Sequence, residues 1–370
     1  MALKLTHLVA PASFLATFLV LHVVPMVVCL ENSTSLDSPE LDAWIAQNMK
    51  EYEEASRRTV YDNSLLMALS SVKQQIISVR KDGRGNFKTV TDAVKSIPSG
   101  NTERVIIRIG GGEYREKVTI DRSRPLVTLY GEPSDMPVIM YAGTAKKYGT
   151  WNSATVAVES AYFMAVNIVF VNSAPRPDPK KSDEQAVALR ISGDKAAFHN
   201  CKFIGFQDTL CDDAGRHLFR NCYIEGTVDF IFGNGKSVYL NTAIKSVAKS
   251  LGVITAQGGG EINSGFIFIH CNITGSGDIY LGRALKETSR VVFAYTYMGP
   301  LINKIGWMRR SMQEVWSLQN MYYGEYKCKG PGSSSTGRKY SKILSDAEVK
   351  PFLSTTFIQG NEWLLPVPKL

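Results

Sequence analysis

Two aspartates occupy equivalent places in a segment of the sequence that repeats itself. The nine residues from Asn200 to Asp208 align without a gap on those from Asn221 to Asp229, and Asn, Cys, Gly and Asp match. We therefore expect the two carboxyl groups to lie side by side. Neighbouring carboxylates resist double ionisation, because each negative charge raises the cost of the other. The pair predicts one protonated acid and one anionic base in a single cleft.

The repeat extends well beyond this pair and predicts the fold. Further copies begin at Asn167, Asn241, His270 and Ala294. Steps of roughly 20 to 30 residues are typical of a solenoid, in which each unit buries its apolar side against the next. Each unit is a short alternating run, which is typical of strands, and no helical period separates the copies. We predict an all-β protein, a right-handed parallel β-helix.

Short helices are expected to cap this solenoid. An amphipathic segment at residues 91–97 is placed to cover one open end. At the other end, Ser345 and Glu348 form a capping box that opens a short helix through Leu353. Asp278, the matching aspartate of the fifth repeat copy, is interpreted as a solvated turn residue and not as part of the carboxylate pair.

Composition and charge limit the classes of function. The chain has 370 residues, of which 44% are hydrophobic and 21% charged, with a formal net charge of +8. It has no Lys/Arg-rich helix and no interleaved aromatic and basic pattern, so we expect no nucleic-acid partner. A basic surface on a β scaffold suits an acidic polymer, although mild basicity can also be without functional meaning.

The N-terminal sequence predicts secretion. Residues 8–30 are almost entirely apolar and precede a polar run, so residues 1–29 are predicted to be a signal peptide. An uncleaved membrane anchor is the less favoured alternative, and no stable membrane association is expected. Residues 30–76 form a polar leader or short pro-segment, and residues 77–366 form the main domain. Asn32 and Asn272 begin N-glycosylation acceptor sequences, the latter in a strand where access is expected to be poor.

The cysteines leave two interpretations open. Five follow the signal segment, and Cys201 and Cys222 would stack in adjacent coils. They form either a disulfide bridge or part of a ladder of free buried thiols. No Cys-x-x-Cys spacing occurs, so no metal is expected.

Six motifs in order carry a resemblance to a known family. They are Asp82-Gly83-x-Gly85, Gly112-x-Tyr114-x-Glu116, Gln185 to Arg190, Gly205 to Leu210, Gly226 to Gly233 and Leu281-Gly282-Arg283. From about residue 77 to Trp363 the chain resembles the plant pectin methylesterases. The resemblance implies a β-helix that removes methyl groups from methyl-esterified homogalacturonan (pectin) in the cell wall. It implies no cofactor, a monomer, and a proteinaceous pectinesterase inhibitor as a further partner.

The resemblance also implies roles for individual residues. Asp229 matches the nucleophile and Arg283 its guanidinium partner, which would keep Asp229 ionised. Asp208 would act first as an acid and then as a base for water. Gln185 and Gln207 match the two amide donors to the oxyanion, each worth roughly 3 kcal/mol in the transition state. Thr150 matches a substrate contact, and Gln185 and Arg283 also count among the substrate-binding residues.

One position departs from the family pattern. Leu285 stands where the family commonly has a tryptophan that lines the sugar subsites. Losing a ring contact costs on the order of 1 kcal/mol in binding, so we expect an active enzyme of weaker or different selectivity. A non-catalytic pectin-binding protein, a polygalacturonase-type glycosidase and a calcium-dependent pectate lyase are the alternatives. An aspartic protease is disfavoured, because the short spacing does not suit a two-lobed enzyme.

Overall fold

The computed structural model describes residues 74–259, 263–308, 320–368 and 370. The predicted signal peptide, nearly all of the polar leader and the acceptor Asn32 lie outside these residues. The first strand begins at Gln75, two residues before the predicted start of the main domain. None of the helices in the described ranges is long and apolar enough to cross a bilayer.

The described residues contain twenty-five strands, most of them short. They are β1 (Gln75–Val79), β2 (Val105–Ile109), β3 (Glu113–Arg115), β4 (Val118–Ile120), β5 (Val127–Tyr130), β6 (Val138–Tyr141), β7 (Val156–Val158), β8 (Met164–Val166), β9 (Val169–Asn172), β10 (Leu189–Ile191), β11 (Ala196–His199), β12 (Lys202–Ile204), β13 (Leu210–Asp212), β14 (Arg216–Arg220), β15 (Tyr223–Gly226), β16 (Ile231–Gly233), β17 (Lys236–Leu240), β18 (Ala243–Gln257), β19 (Gly265–Ile269), β20 (Asn272–Ala284), β21 (Ser289–Ala294), β22 (Tyr297–Met298), β23 (Trp307–Met308), β24 (Met321–Tyr326) and β25 (Lys342–Ile343).

The helices within the described ranges are few and short. The α-helices are α1 (Val90–Lys95), α2 (Ala145–Tyr148) and α3 (Asp346–Val349), and the 3-10 turns span Trp151–Ser153, Pro331–Ser333, Lys350–Phe352, Thr355–Ile358 and Gly360–Glu362.

The strands wind into parallel coils, which confirms the predicted β-helix. One sheet runs in the order β1-β2-β5-β8-β11-β14-β17-β19-β21-β24-β25, and the other joins fourteen strands. Neighbours in each sheet come from successive coils and pair in parallel, as in β11 with β14 and β14 with β17. Every coil therefore sets its side chains directly above those of the coil before it.

A column of aromatic rings runs through the interior of the solenoid. Phe198, Phe219, Tyr239, Phe268 and Phe293 occupy one register position in successive strands, and their ring centroids are 4.5 to 4.7 Å apart. All five rings are fully buried. The spacing matches that of neighbouring strands, so the coil repeat itself produces the offset stacking that aromatic pairs favour.

The repeated asparagines mark a sharp turn in each coil. Asn167, Asn200, Asn221 and Asn241 all have left-handed backbones with φ between 49° and 57°. Asparagine tolerates this conformation better than most residues. Their amides also form a ladder, with Asn200 Nδ2 donating to Asn167 Oδ1 at 2.8 Å and Asn241 Nδ2 to Asn221 Oδ1 at 2.9 Å.

The last repeat copy is aligned one residue later than predicted. Ile269 pairs with Ala294, which places Tyr295 above His270, and their rings stack at 5.0 Å. The expected equivalence of Ala294 with His270 is therefore wrong. The short motif Ala-Tyr-Thr-Tyr carries too little information to fix the register without the strand that precedes it.

Helices cover the end and one side of the solenoid. Helix α1 spans Val90–Lys95, so it begins one residue before the predicted segment 91–97 and ends two residues before the end of that segment. It buries Val90, Ala93 and Val94 in the core. The predicted capping box at Ser345 and Glu348 is confirmed, but the α-helix ends at Val349 and continues as a 3-10 turn. The segment from there to Trp363 packs on outward-facing residues of the eleven-stranded sheet.

The described cysteines are free. Cys201, Cys211, Cys222 and Cys271 are buried, Cys328 is half-buried, and none of the five forms a disulfide. Burial raises the pKa of the Cys201 thiol to about 12. Of the two interpretations, the ladder of buried thiols is the one observed, and these thiols behave as small apolar core groups.

Candidate active site

Asp208 and Asp229 lie one above the other, as the repeat predicted. Each stands two residues before a strand residue, and these strand residues, Leu210 and Ile231, pair directly. Adjacent coils are roughly 4.8 Å apart. The backbone amide of Asp208 donates to the carbonyl oxygen of Val228 at 3.1 Å, which ties the two turns together. Both aspartates have left-handed backbones, with φ of 64° and 49°, and both are buried.

Arg283 holds the second aspartate from two coils further along the solenoid. Its Nε donates to Asp229 Oδ1 at 2.8 Å and its Nη2 donates to Oδ2, a bidentate pair. The side chain of Asp229 is 8% exposed and that of Arg283 30% exposed. The fork geometry and partial burial hold the Asp229 carboxyl group in one orientation.

The two aspartates sit in different electrostatic environments. Burial raises the pKa of the Asp208 carboxyl well above its usual range, the Asp229 charge raises it further, and Arg283 opposes both effects. Asp208 therefore holds a proton under conditions in which an ordinary aspartate has lost it. The site thus combines a protonated carboxyl group with an arginine-bound carboxylate.

Two glutamines and a threonine extend the site toward the earlier coils. Gln185 is half-buried, and its Nε2 donates to Thr150 Oγ1 at 3.0 Å. Gln207 precedes Asp208 and is half-buried, and its side-chain amide bonds no other group in the described part of the chain. The backbone carbonyl oxygen of Gln207 accepts a hydrogen bond from the backbone amide of Ala186 at 3.2 Å, which links the two segments that carry the glutamines. Gln185 and Gln207 both lie in the turns that precede the strands of the site.

Leu285 forms part of an apolar floor beside Arg283. It packs on a cluster that includes Ala157, Cys211, Phe232 and Ala256. Cys211, Phe232 and Ala256 occupy one register position in successive strands. Arg283 occupies the same position in the next strand. The aliphatic side chain thus lies on the outer surface of the strands that carry the site.

Sequence reasoning missed one aromatic residue near this site. Trp151 follows Thr150, its side chain is 50% exposed, and the Arg190 guanidinium lies 5.8 Å from the ring centroid. Arg190 is itself fixed by Glu159 at 2.7 Å and by Ser192 Oγ at 2.8 Å. Its neighbour Thr150 was already a candidate site residue, and a tryptophan beside it is the signal that could have identified this exposed ring.

Other residues considered at the sequence level take no part in the pair. Asp278 is exposed and accepts the Asn303 amide at 2.8 and 2.9 Å, and it aligns with Leu251, two places away from the aspartate row. Phe230 is a core residue. Phe206 is half-buried beneath the Arg176 guanidinium, which lies 4.4 Å from its ring centroid. In the described ranges no group of three or more His, Cys, Asp or Glu residues is placed to hold a metal ion.

A buried polar network lies at the far end of the Asp208 strand. Asp212 bonds His217 Nδ1 at 2.6 Å through one oxygen and accepts the Tyr239 hydroxyl at 2.7 Å through the other. The remaining nitrogen of His217 is 3.0 Å from the Gly193 carbonyl oxygen. All three side chains are buried. His217 bonds the preceding coil through Gly193, and Asp212 bonds the next coil through Tyr239, so the network joins three successive coils.

The chain belongs to the pectinesterase family. The family model described as Pectinesterase matches residues 76–361. The chain is 53% identical over 295 residues to Putative pectinesterase 63 of Arabidopsis thaliana, covering 79% of this chain and 87% of that protein. The protein is thus an enzyme of the pectinesterase class.

Solved structures show the same architecture. The pectin methylesterase from carrot is 33% identical, with a TM-score of 0.73 over 79% of this chain and 97% of that one. A pectin methylesterase in complex with a hexasaccharide is 27% identical, with a TM-score of 0.69 over 79% and 98% of the two chains. The fold agrees with the expectation drawn from the repeat and from the motifs.

Proposed function

We propose that this protein hydrolyses the methyl esters of galacturonate units in homogalacturonan, releasing methanol and an acidic pectin. The observation that carries the proposal is the coexistence of a proton-holding Asp208 and an arginine-bound Asp229 in adjacent coils. Carboxylate attack on an ester requires an anion, a proton for the departing methoxide and donors for the oxyanion. The described site contains a group for each of these needs.

In the first half of the proposed reaction, a carboxylate oxygen of Asp229 attacks the ester carbonyl carbon. The carbonyl electrons move onto its oxygen, and the amides of Gln185 and Gln207 donate to this oxyanion. When the tetrahedral intermediate collapses, the carbon–methoxy bond breaks and Asp208 transfers its proton to the leaving oxygen. Methanol departs, and Asp229 is left in a mixed anhydride with the galacturonyl group.

In the second half, the same groups act in reverse. Asp208, now a carboxylate, takes a proton from a water molecule as that water attacks the anhydride carbonyl carbon. Collapse breaks the bond to Asp229, whose carboxylate returns to the Arg283 fork, and Asp208 is again protonated. One water molecule is consumed, and one methanol and one free galacturonate carboxyl group are formed for each cycle.

Substrate binding is proposed along the outer surface of the strands next to the site. Thr150 bonds Gln185, and Leu285 forms the apolar floor near Arg283. The exposed ring of Trp151 offers the flat surface that Leu285 lacks. The hexasaccharide bound by a related methylesterase supports a site that holds several sugar units.

We also infer a setting for this activity. The apolar N-terminal segment and the polymeric substrate support secretion of the enzyme into the cell wall. Asn272 is exposed in β20, contrary to the expected poor access, and this exposure supports glycosylation at that position. The resemblance supports a monomer that a proteinaceous inhibitor can bind. These points rest on sequence and on the family.

One assay separates the proposed reaction from its alternatives. The secreted protein is incubated with highly methylated pectin, and methanol, reducing ends and unsaturated uronate are measured in parallel. Methanol release alone supports the esterase. New reducing ends indicate a glycosidase, and unsaturated products that require calcium indicate a lyase. Pectin binding without any product supports the alternative of a non-catalytic pectin-binding protein.

A further inference from the structure

A second pocket lies on the outer face of the eleven-stranded sheet, which does not carry the catalytic aspartates. It has a volume of about 190 Å³, including space open to solvent. Two cationic residues, Arg104 and Lys195, line it together with Tyr162, Met164, Trp363 and Leu365. No carboxylate belongs to the lining. The mechanism above uses none of these residues.

Arg104 is a buried cation without a counter-ion. The residue is 8% exposed, and the one side-chain hydrogen bond it makes within the described ranges is from Nη1 to Thr128 Oγ1 at 2.5 Å. Burial lowers the pKa of its guanidinium to about 10, with no carboxylate to offset the effect. A guanidinium has five N–H donors, so most of this group's hydrogen-bonding capacity is unused.

Two other deeply buried arginines in the described part of the chain are paired. Arg190, with a side chain 9% exposed, contacts Glu159 at 2.7 Å. Arg338, with a side chain 5% exposed, contacts Glu325 at 2.9 Å. Buried charges are normally paired, because leaving one unpaired is strongly destabilising. Arg104 departs from this rule and faces a pocket, which indicates that its partner comes from outside the described chain.

Lys195 adds a second positive charge to the same pocket. Its Nζ donates to the Tyr162 hydroxyl at 2.6 Å and lies 4.6 Å from the centroid of that ring. No carboxylate in the described ranges lies within ion-pair distance of it. The rest of the lining is mainly apolar and is completed by Trp363 and Leu365 from the C-terminal segment. The pocket therefore places two cations beside an apolar surface that can contact the carbon skeleton of a ligand.

We propose that this pocket binds the carboxylate of a small organic acid, with Arg104 as its main partner and Lys195 as the second. A carboxylate matches the planar fork of the guanidinium, and the apolar lining favours an organic acid over an inorganic anion. The enclosed part of the pocket is small, so it takes the carboxylate group itself while the rest of the acid lies toward solvent. A free uronate and the end of an acidic oligosaccharide are the two sources to compare. The inference is independent of the proposed esterase mechanism.

The test is a site-specific NMR titration. The full chain is labelled with ¹³C at its methionine methyl groups, and the signal of Met164 is assigned by Met164→Leu. The probes are D-galacturonate, trigalacturonate, acetate and inorganic phosphate, each against sodium chloride at equal ionic strength. We expect a saturable Met164 shift with the carboxylates. Tighter binding of galacturonate identifies a free uronate as the ligand, and tighter binding of trigalacturonate identifies the end of an acidic oligosaccharide.

Variants decide whether the response belongs to the pocket. Arg104→Gln should abolish the saturable shift. Arg108→Gln should retain it, because Arg108 is exposed in β2, the strand that begins directly after Arg104, and is paired with Glu132. Lys195→Gln should weaken binding severalfold and serves as the second test if Arg104→Gln does not fold. Methanol release should be unchanged in all three variants. No saturable shift, a shift with phosphate alone, or a shift that persists in Arg104→Gln or is unaltered in Lys195→Gln overturns the proposal.

Discussion

Arg283 and Asp229 are separated by 54 residues in the sequence and meet in a bidentate ion pair. Strand pairing accounts for the meeting, because Arg283 lies in β20, which pairs with β18, and β18 pairs with the strand that follows Asp229. The solenoid therefore delivers a cation to a buried carboxylate without a dedicated loop. Most of the predicted reactivity of Asp229 depends on this pair.

Arg283→Lys should reduce kcat for methanol release by about 10- to 100-fold. Lysine keeps the charge but cannot form the two parallel hydrogen bonds, and a hydrogen bond to a charged group is worth ~1.5–3 kcal/mol. The measurement is kcat on methylated pectin, with Arg115→Lys as the control, since Arg115 is exposed and pairs only with Glu113. Equal losses in both variants would argue against a special role for the fork.

Asp208→Asn should make the protein more stable in neutral solution while abolishing most activity. The folded protein holds the Asp208 proton more tightly than the unfolded chain, because its pKa is raised. Stability from this group is thus fully present below the unfolded pKa of ~3.9 and is lost as pH rises toward the folded pKa. Asparagine has no ionisable carboxyl group, so the Asp208→Asn variant does not lose this stability as pH rises.

Chemical denaturation of Asp208→Asn and wild type at pH 4 and pH 7.5 measures the difference. We expect the variant to gain stability relative to wild type only at the higher pH. Asp278→Asn is the matched control, because Asp278 is exposed. A stability difference between Asp208→Asn and wild type that does not change with pH would contradict the assignment of Asp208 as the proton-holding carboxyl group.

Gln185→Ala and Gln207→Ala should each lower kcat by roughly 10²–10³-fold with a smaller change in KM. A donor to the developing oxyanion acts mainly in the transition state, and its removal typically costs ~3–4 kcal/mol. Steady-state methanol release with Gln75→Ala as the exposed control checks this expectation. A rise in KM with unchanged kcat would assign the glutamines to substrate binding alone.

Leu285→Trp should tighten binding of methylated pectin by about fivefold and leave kcat nearly unchanged. An added ring-stacking contact is worth about 1 kcal/mol, and Leu285 lies on the apolar floor and is not one of the groups that react. Binding is measured by KM and by retention on pectin, with Leu285→Met as the volume-conserving control. Unchanged affinity in the tryptophan variant would show that this position does not contact sugar.

The repeat in the sequence was sufficient to predict the fold and the central pair. Asn200 and Asn221 begin aligned copies of equal length, so the stacking of Asp208 on Asp229 follows from counting residues. The motifs shared with the pectin methylesterases added Arg283 and the glutamines as candidate site residues through resemblance. Counting residues works where the coil length is constant, and resemblance works where a motif is long.

Features that depend on side-chain direction or on distant segments could not be predicted. The partner of His217 is Asp212, and only the turn between β13 and β14 brings them within 2.6 Å. The pocket at Arg104 is completed by Trp363 and Leu365, more than half the chain away, through packing of the C-terminal segment. No local pattern of residues encodes that docking.

The most direct test of the account is kcat for methanol release by Asp229→Asn beside Asp278→Asn. Asparagine preserves the shape of the Asp229 side chain and removes its nucleophilic charge, so the account predicts a loss of at least about 10⁴-fold. The Asp278 variant should match wild type, because that residue is exposed in strand β20, not in the turn expected from the sequence, and lies outside the aspartate pair. An Asp229→Asn enzyme that retains kcat within tenfold of wild type would contradict the proposed nucleophile.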